Sequence, residues 1–273
     1  MNRMATYVAK KNKMLFIPFI VAGDPTADAT VDLALMLQNA GADAIELGIP
    51  YSDPLADGPV IQRASKRALT HQITLLGAMR LVKAMRQAGL SIPVIIFTYA
   101  NPLYQLGQER FFKEAAENEI DGLLVPDLPF EESEQLATRC RQEDVALISL
   151  VAPTTSDVRL AKIAAAAQGF IYCVSSLGVT GVRHAFHPAI FSFLTRVRAA
   201  ADCPIAVGFG ISSHEQVEDL SDYADGFIVG SAIVREVETH AAALAAEETR
   251  PAALDAIRAQ LEQTLLRAAP AHQ

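Results

Sequence analysis

The segment DAIELGIPYSDPLADGP, residues 43–59, is an apolar run that contains one glutamate and continues into a loop with two more acids. Isoleucine and leucine flank Glu46, as in a strand that is buried on both faces. Asp53 and Asp57 follow in a loop whose prolines restrict the backbone. The segment therefore predicts a buried strand followed by a stiff, acidic loop.

Similar apolar runs recur along the chain. There are eight: LFIPFIVAG, DAIELG, PVIIFTY, DGLLVPD, VALISLVAP, GFIYCVSS, PIAVGFG and DGFIVGS. Between them lie stretches such as ADATVDLALMLQNAG and ESEQLATRCRQED, with apolar residues at the three- and four-residue steps of a helix. Buried strands that alternate with helices predict an α/β fold with a parallel sheet. Eight such units in about 250 residues predict a closed (β/α)8 TIM barrel.

An open, doubly wound sheet is the alternative fold. It would usually bring a G-x-G-x-x-G motif after its first strand, and VAGDPTAD lacks that motif. Because no low-complexity linker or composition shift divides the chain, we expect residues 1–273 to form a single barrel domain. The last helical pattern, residues 251–267, is expected to be the final outer helix. Its apolar side consists of Leu254, Ile257, Leu261 and Leu265.

Composition narrows the class of protein. The formal charge is −8, from 23 basic and 31 acidic residues without a basic block, which argues against nucleic-acid binding. The widely spaced Cys140, Cys173 and Cys203 fit a reducing cytoplasm. KKNKMLFIPFIVAG reads as a buried first strand rather than an export signal, since it lacks a cleavage site. No run approaches the roughly 20 apolar residues that span a bilayer.

Two late glycine turns suggest an anion site. Gly208, Gly210 and Gly230 would let backbone amides approach an anion, while Ser212 and Ser231 stand where helices are expected to begin. The loops after strands seven and eight form the usual phosphate site of this barrel. The alternative is that these are ordinary turn glycines.

The strand ends offer carboxylates for chemistry. Poor solvation would raise the pKa of Glu46 toward neutrality and suit it to proton transfer; alternatively it faces water or pairs with a base. The stiff loop would aim Asp57 at a substrate, unless Asp53 or Asp57 only caps a helix or turn. The lysines lie in the N-terminal segment or on predicted helices, so a Schiff base is not expected. The histidines, including His184, suggest no metal site.

Seven motifs share the order and spacing of one enzyme family across residues 16–234: PFIVAGDP, ELGIPYSDPLADGPVIQ, YANPLY, PDLPFEES, YCVSSLGVTG, GFGIS and IVGSAIV. The chain resembles the alpha subunits of tryptophan synthase. The resemblance implies a lyase of tryptophan biosynthesis, which cleaves indole-3-glycerol phosphate to indole and glyceraldehyde 3-phosphate by a retro-aldol route. It implies no cofactor.

The resemblance also assigns residues. Glu46 would protonate C3 of the indole and then accept the glyceryl hydroxyl proton, while Asp57 would bind the indole N–H and stabilise the cation. Thr180 would lie on a lid, residues 175–183, that orients Asp57. The indole would contact Phe19, Phe97, Tyr99, Tyr172 and Phe209, and the phosphate would contact Gly181, Gly210, Gly230 and Ser231. Phe97 and Ser176 depart from residues common in the family, so the resemblance does not determine the shape of the pocket or the closure of the lid.

A partner is implied as well. The loop with Asp53 and Pro54 would face a pyridoxal-phosphate beta subunit in an alpha2beta2 heterotetramer, which receives indole through a tunnel. Two other functions stay open from the sequence. One is an isomerase or epimerase acting on another sugar phosphate. The other is a barrel that mainly activates its partner.

Overall fold

The computed structural model describes residues 3–8, 14–175, 186–208 and 210–266. Its strands belong to a single sheet, and every strand pairing in it is parallel. The strands are β1 Leu15–Val21, β2 Ile45–Gly48, β3 Val94–Phe97, β4 Gly122–Leu124, β5 Ala146–Leu147, β6 Ser149–Val151, β7 Ile171–Val174, β8 Ile205–Gly208 and β9 Gly226–Val229. Their spatial order is β5-β4-β3-β2-β1-β9-β8-β7-β6.

The two outermost strands of this order are adjacent in the chain. β5 pairs with β4, β6 pairs with β7, and only Ile148 separates them. The sheet therefore curls back on itself, which confirms the predicted (β/α)8 barrel. All eight predicted runs contain strands. The fifth run differs in detail, because it forms two short strands. The chain pairs with β4 before Ile148 and with β7 after it.

Helices connect the strands and cover the barrel. They are α1 Arg3–Val8, α2 Ala27–Asn39, α3 Pro59–Leu69, α4 Leu75–Gln87, α5 Ala100–Leu106, α6 Gln108–Glu117, a 3-10 turn Phe130–Glu132, α7 Glu134–Gln142, α8 Asp157–Ala166, α9 Ala189–Ala200, α10 His214–Leu220, α11 Ser231–Thr239, α12 Ala241–Ala245 and α13 Arg250–Thr264. The last helix begins one residue earlier than predicted and ends at Thr264, with Ile257 and Leu261 buried. No helix within the described ranges is long and apolar enough to cross a bilayer.

Alternating residues of each strand enter two apolar cores. Ile17 and Phe19 of β1 belong to the cluster inside the barrel, whereas Phe16 and Ile20 pack outward under the helices. This explains why the strands read as apolar on both faces. Glu46 is the register partner of Phe19, so its side chain shares the interior face.

Carboxylates fix the amino-terminal ends of several strands. Each lies one or two residues before one strand and accepts a backbone N–H from a neighbouring strand: Asp43 from Phe16 at 2.8 Å, Asp121 from Val94 at 2.9 Å and Asp225 from Ile205 at 2.8 Å. Such bonds satisfy backbone donors that the ladder leaves unpaired. The opposite, carboxyl-terminal end of the barrel is thereby left to the loops that carry function.

Candidate active site

A cavity opens at the carboxyl-terminal ends of the strands, with about 600 Å³ of empty space. Its wall comes from strands β1, β2, β3, β7 and β9, from the loops after β2, β8 and β9, and from the first turns of α3 and α11. The lining residues are Phe19, Glu46, Ala56, Asp57, Ile61, Phe97, Tyr172, Gly210, Ile211, Ser212, Ile228, Gly230, Ser231 and Ala232. Many of the residues predicted to act on or bind a substrate thus come together.

Glu46 lies at the floor of this cavity and is 1% exposed. Neither carboxyl oxygen has a hydrogen-bond partner among the described residues. Burial raises the pKa of Glu46 to about 8, because the charged form has lost its water. Among the described residues, Glu46 is therefore neither a carboxylate at the rim that faces water nor a member of an ion pair. The group therefore holds a proton at neutral pH, and no partner among the described residues competes for it.

Asp57 faces the same cavity from the loop after β2. Burial raises its pKa to about 6, while a hydrogen bond with the Tyr99 hydroxyl acts in the opposite direction. The Tyr99 oxygen also accepts the Ala56 N–H at 3.0 Å, and the Gln62 amide donates to the Asp57 carbonyl at 2.8 Å. Asp57 does not cap α3, whose N-cap is Gly58 without a side-chain bond. The loop is thus tied to the start of α5 through Tyr99 and to α3 through Gln62, and its carboxylate lines the cavity.

Aromatic side chains wall the cavity. The Phe19 and Phe97 rings meet edge to face, with centroids 5.4 Å apart. A Cβ at Gly48 would lie 2.4 Å from the Phe19 ring, and one at Gly208 would lie 2.1 Å from the Tyr172 hydroxyl. Both glycines are therefore needed for ring packing. For Gly208 this differs from the expected approach to an anion, since it lies against Tyr172 and is not a lining residue.

The late turns supply polar groups at one end of the cavity. Gly210 has φ +84°, a conformation that favours glycine, and Ser231 is the first residue of α11. Ser212 does not begin a helix as predicted, because α10 starts at His214 and is capped by Ser213. The Ser212 N–H donates instead to the Gln216 side chain at 2.8 Å. The amino-terminal end of α11, by contrast, has Gly230 as its N-cap and makes no side-chain capping bond.

Other predicted residues lie elsewhere. Tyr99 is buried beneath the Asp57 loop and is not among the lining residues. Asp53 is exposed and Pro54 is half-buried on the outer part of that loop. Thr180, Gly181 and Phe209 lie outside the described residues, as does Ser176, together with the rest of the predicted lid after residue 175.

Sequence reasoning missed several apolar lining residues. Ile61 belongs to the first turn of α3, and Ile228 is an inward-facing residue of β9. Strand alternation could have identified Ile228 from its position between outward-facing neighbours. Nothing local could have identified Ile61, because its place in the cavity depends on how α3 approaches the barrel.

The comparisons with known proteins agree on one family. A sequence model described as tryptophan synthase alpha chain matches residues 5–264. This chain belongs to the tryptophan synthase alpha chain family. It is 58% identical over 272 residues to the tryptophan synthase alpha chain of Shouchella clausii, which covers 100% of both chains. It is 60% identical to that of Halalkalibacterium halodurans, over 87% of this chain and 89% of the relative.

Solved structures of the tryptophan synthase family share the fold. The tryptophan synthase complex of Pyrococcus furiosus superposes with a TM-score of 0.82 at 35% identity, covering 95% of this chain and 99% of that chain. Tryptophan synthase subunit alpha of Legionella pneumophila gives the same score and identity, over 96% and 99%. Family membership confirms the expected enzyme class, a carbon–carbon lyase that cleaves indole-3-glycerol phosphate in tryptophan biosynthesis.

The lysine side chains of the described residues lie away from the cavity. Lys66, Lys83, Lys113 and Lys162 are on α3, α4, α6 and α8, as predicted, and none is a lining residue. Over the described part of the chain, no three His, Cys, Asp or Glu side chains are grouped to hold a metal ion. The titratable side chains that line the cavity are Glu46, Asp57 and Tyr172.

Proposed function

We propose that Glu46 and Asp57 carry out the cleavage of indole-3-glycerol phosphate, Glu46 as the proton carrier and Asp57 as the stabiliser of positive charge. The observation that supports this most is the contrast between the two carboxyl groups. Glu46 is fully buried without a hydrogen-bond partner in the described chain, whereas Asp57 is tied to Tyr99. Two carboxyl groups with pKa values pushed apart indicate distinct acid and anion roles.

The first step transfers a proton from Glu46 to C3 of the indole. The ring becomes an indoleninium cation, and the Asp57 carboxylate accepts the hydrogen bond of the ring N–H and offsets the charge. A protonated Glu46 suits this step, because its pKa of about 8 keeps the proton available at pH 7. The cation is itself the electron sink, so an amine nucleophile is not required.

The second step returns the proton. The Glu46 carboxylate takes the proton of the glyceryl hydroxyl next to C3, the oxygen lone pair becomes the aldehyde π bond, and the carbon–carbon bond breaks. Its electron pair returns to the indole ring and neutralises the cation. Indole and glyceraldehyde 3-phosphate leave, and Glu46 is protonated again.

The rest of the cavity fits the substrate in shape and charge. Phe19, Phe97 and Tyr172 offer aromatic surface for the indole. Gly230 and Ser231 lie at the amino-terminal end of α11, where backbone amides and the helix dipole favour a phosphate. Gly210 lines the cavity from the loop after β8. In the proposal Phe209 adds to the indole site and Gly181 to the phosphate site, while Thr180 orients Asp57. Tyr99 acts through its hydrogen bond to Asp57.

The loop between Asp53 and Asp57 is proposed to join the cavity to a beta subunit. A solved structure similar to this chain is described as the tryptophan synthase alpha2beta2 complex of Pyrococcus furiosus, with mutual activation. Leu55 is 79% exposed on this loop, while Asp57 two residues later lines the cavity. We assign Asp53 and Pro54 to the same partner surface.

The cytoplasm is the proposed location. Cys140, Cys173 and Cys203 are all free thiols, and the first two are buried. Thiols persist in reducing compartments, where disulfides are rare. Fractionating cells that produce the protein and detecting the chain in each fraction tests this location.

Indole release tests the assignment of Glu46. Wild type, Glu46→Gln and Glu134→Gln are assayed with indole-3-glycerol phosphate, each with and without a beta subunit. Glu134 is an exposed acid at the start of α7 and serves as the matched control. We expect kcat to fall by about 10⁴-fold in Glu46→Gln and to stay unchanged in Glu134→Gln. Retained turnover in Glu46→Gln would exclude Glu46 as the proton carrier.

A further inference from the structure

A network of charged side chains lies behind the cavity and joins three segments of the barrel. Arg67 on α3 donates two hydrogen bonds to the carboxylate of Asp24, at 2.8 and 2.9 Å, and a third to Glu238 on α11 at 2.8 Å. Arg63, one turn earlier on α3, donates two more bonds to Glu238, each at 2.7 Å. We call Arg63, Arg67, Asp24 and Glu238 the arginine clamp.

The arginine clamp differs from an ordinary surface ion pair in its burial and in its hydrogen-bond geometry. Asp24 is 2% exposed and the Arg67 side chain 27%, so water screens their contact little. Both arginines use the paired donors that fix the geometry of a carboxylate, and Glu238 is shared between them. The arginines hold the pKa of Glu238 down at about 2, so this carboxylate stays charged over the working range of pH.

The three segments that the arginine clamp joins, α3, α11 and the segment after β1, each adjoin residues that line the cavity. α3 begins two residues after Asp57, and its side chain Gln62 holds the Asp57 carbonyl. α11 begins at Ser231, on the proposed phosphate end. Asp24 follows β1, which supplies Phe19. α3 and α11 also pack against each other, and Ala64 of α3 lies in the same apolar cluster as Val234 of α11.

We propose that Arg67 is a positioning residue that sets the distance between Asp57 and the phosphate end of the cavity. The inference rests on the proposed function and extends it to a residue that does not line the cavity. The substrate is held at its phosphate by α11 while its indole must meet Asp57. A displacement of about 1 Å between two such groups can cost about 100-fold in rate. Arg67 touches both anchoring carboxylates, whereas Arg63 touches only Glu238.

The test compares cleavage with binding of a probe that senses only the phosphate end. Wild type, Arg67→Met, Arg63→Met and Arg250→Met are assayed for indole release and titrated calorimetrically with glycerol 3-phosphate. Arg250 is the matched control, since it joins two helices through Asp32 at 2.9 Å but lies outside the cavity. We expect kcat/KM to fall by about 10- to 100-fold in Arg67→Met and less in Arg63→Met. Glycerol 3-phosphate should bind Arg67→Met within twofold of wild type.

Several outcomes would overturn the proposal. Cleavage by Arg67→Met that matches Arg250→Met leaves Arg67 a stabilising residue only. A parallel loss of cleavage and glycerol 3-phosphate binding means that it merely supports α11. If wild type itself releases no indole, the proposed function is wrong, and the positioning role of Arg67 is wrong with it.

A milder pair of variants guards against a chain that does not fold. Arg67→Lys keeps the charge but cannot bond both carboxylates in the same geometry, and Glu238→Gln is isosteric and weakens only the link to α11. Both are expected to lose at least about fivefold in kcat with circular dichroism like that of wild type. Full activity in both folded variants contradicts the positioning role.

Discussion

Two carboxyl groups share one cavity but differ in how they are solvated. Glu46 lies on a strand between apolar residues, with no hydrogen-bond partner in the described chain, while Asp57 lies on a loop and shares a hydrogen bond with Tyr99. Burial therefore raises the pKa of Glu46 further than that of Asp57. At neutral pH one group is an acid and the other mainly a carboxylate.

The pH dependence of cleavage follows from these two groups. Asp57 must be charged, so kcat/KM should fall as the pH drops through about 6. Glu46 must be protonated, so kcat/KM should also fall as the pH rises through about 8. The free enzyme should thus give a bell-shaped profile. Steady-state rates from pH 5 to pH 9.5 measure it, with Asp57→Asn as the variant that should lose the acid limb. An alkaline limb missing in wild type would contradict the role given to Glu46.

The same residue makes a prediction about stability. The folded state raises the pKa of Glu46 from 4.5 to about 8, so between these values the folded chain keeps a proton that the unfolded chain has lost. Wild type should therefore lose stability relative to Glu46→Gln as the pH rises through this window, at about 1.4 kcal/mol for each pH unit. Above about pH 8 the difference should be constant.

Urea unfolding of both proteins at pH 5.5, 7.0 and 8.5 measures this difference. Glu46→Gln should be the more stable protein, and its advantage should grow between the first and the last pH. Because other titrating groups are common to both proteins, they cancel in the comparison. A difference that does not change with pH would mean that Glu46 is solvated.

At the scale of elements, a strand glycine determines the shape of the cavity. Gly48 ends β2 under the Phe19 ring, and a Cβ there would lie 2.4 Å from that ring. Gly48→Ala should therefore push Phe19 out of its place, lower kcat/KM by about 10-fold or more and destabilise the protein by about 1–3 kcal/mol. Activity assays and urea unfolding measure both effects.

A helix glycine provides the matched control. A Cβ at Gly77 in α4 would have Thr74 Oγ1 as its nearest neighbour, at 3.4 Å. Gly77→Ala should leave activity unchanged and stabilise the protein by about 0.5–1 kcal/mol, because alanine loses less backbone entropy in a helix. Equal kinetics for the two alanine variants would show that β2 and Phe19 adjust freely.

At the scale of the whole molecule, one loop faces both the cavity and the proposed partner. Leu55 is 79% exposed, so Leu55→Ser should change little in the isolated chain. It should weaken binding to a beta subunit by about 10-fold, since removing a buried apolar contact costs about 1–2 kcal/mol. Titrating each variant with beta subunit and following the rise in indole release measures the affinity.

Val158→Ser is the comparison variant for this experiment. Val158 is 72% exposed on α8 rather than on the loop. It should bind the beta subunit as wild type does. If Leu55→Ser keeps full affinity, the exposed leucine is not part of the interface.

Much of this protein follows from its sequence. Apolar runs separated by helical patterns predicted the barrel because buried parallel strands must be apolar on both faces. The acid within such a run predicted a poorly solvated Glu46, since its neighbours along the strand are apolar whichever way the chain folds. The motif around Asp57 and the glycine turns predicted the family. Each of these predictions uses only residues that are near one another in the sequence.

Only the tertiary structure decided the rest. The break of the fifth strand at Ile148, the place of Gly208 beneath Tyr172 and the bond from Tyr99 to Asp57 each join segments that are distant in sequence. The clamp of Arg67 spans 43 residues to Asp24 and 171 to Glu238. Such contacts leave no local pattern, because an arginine on an outer helix looks the same in sequence whether it meets water or a buried carboxylate.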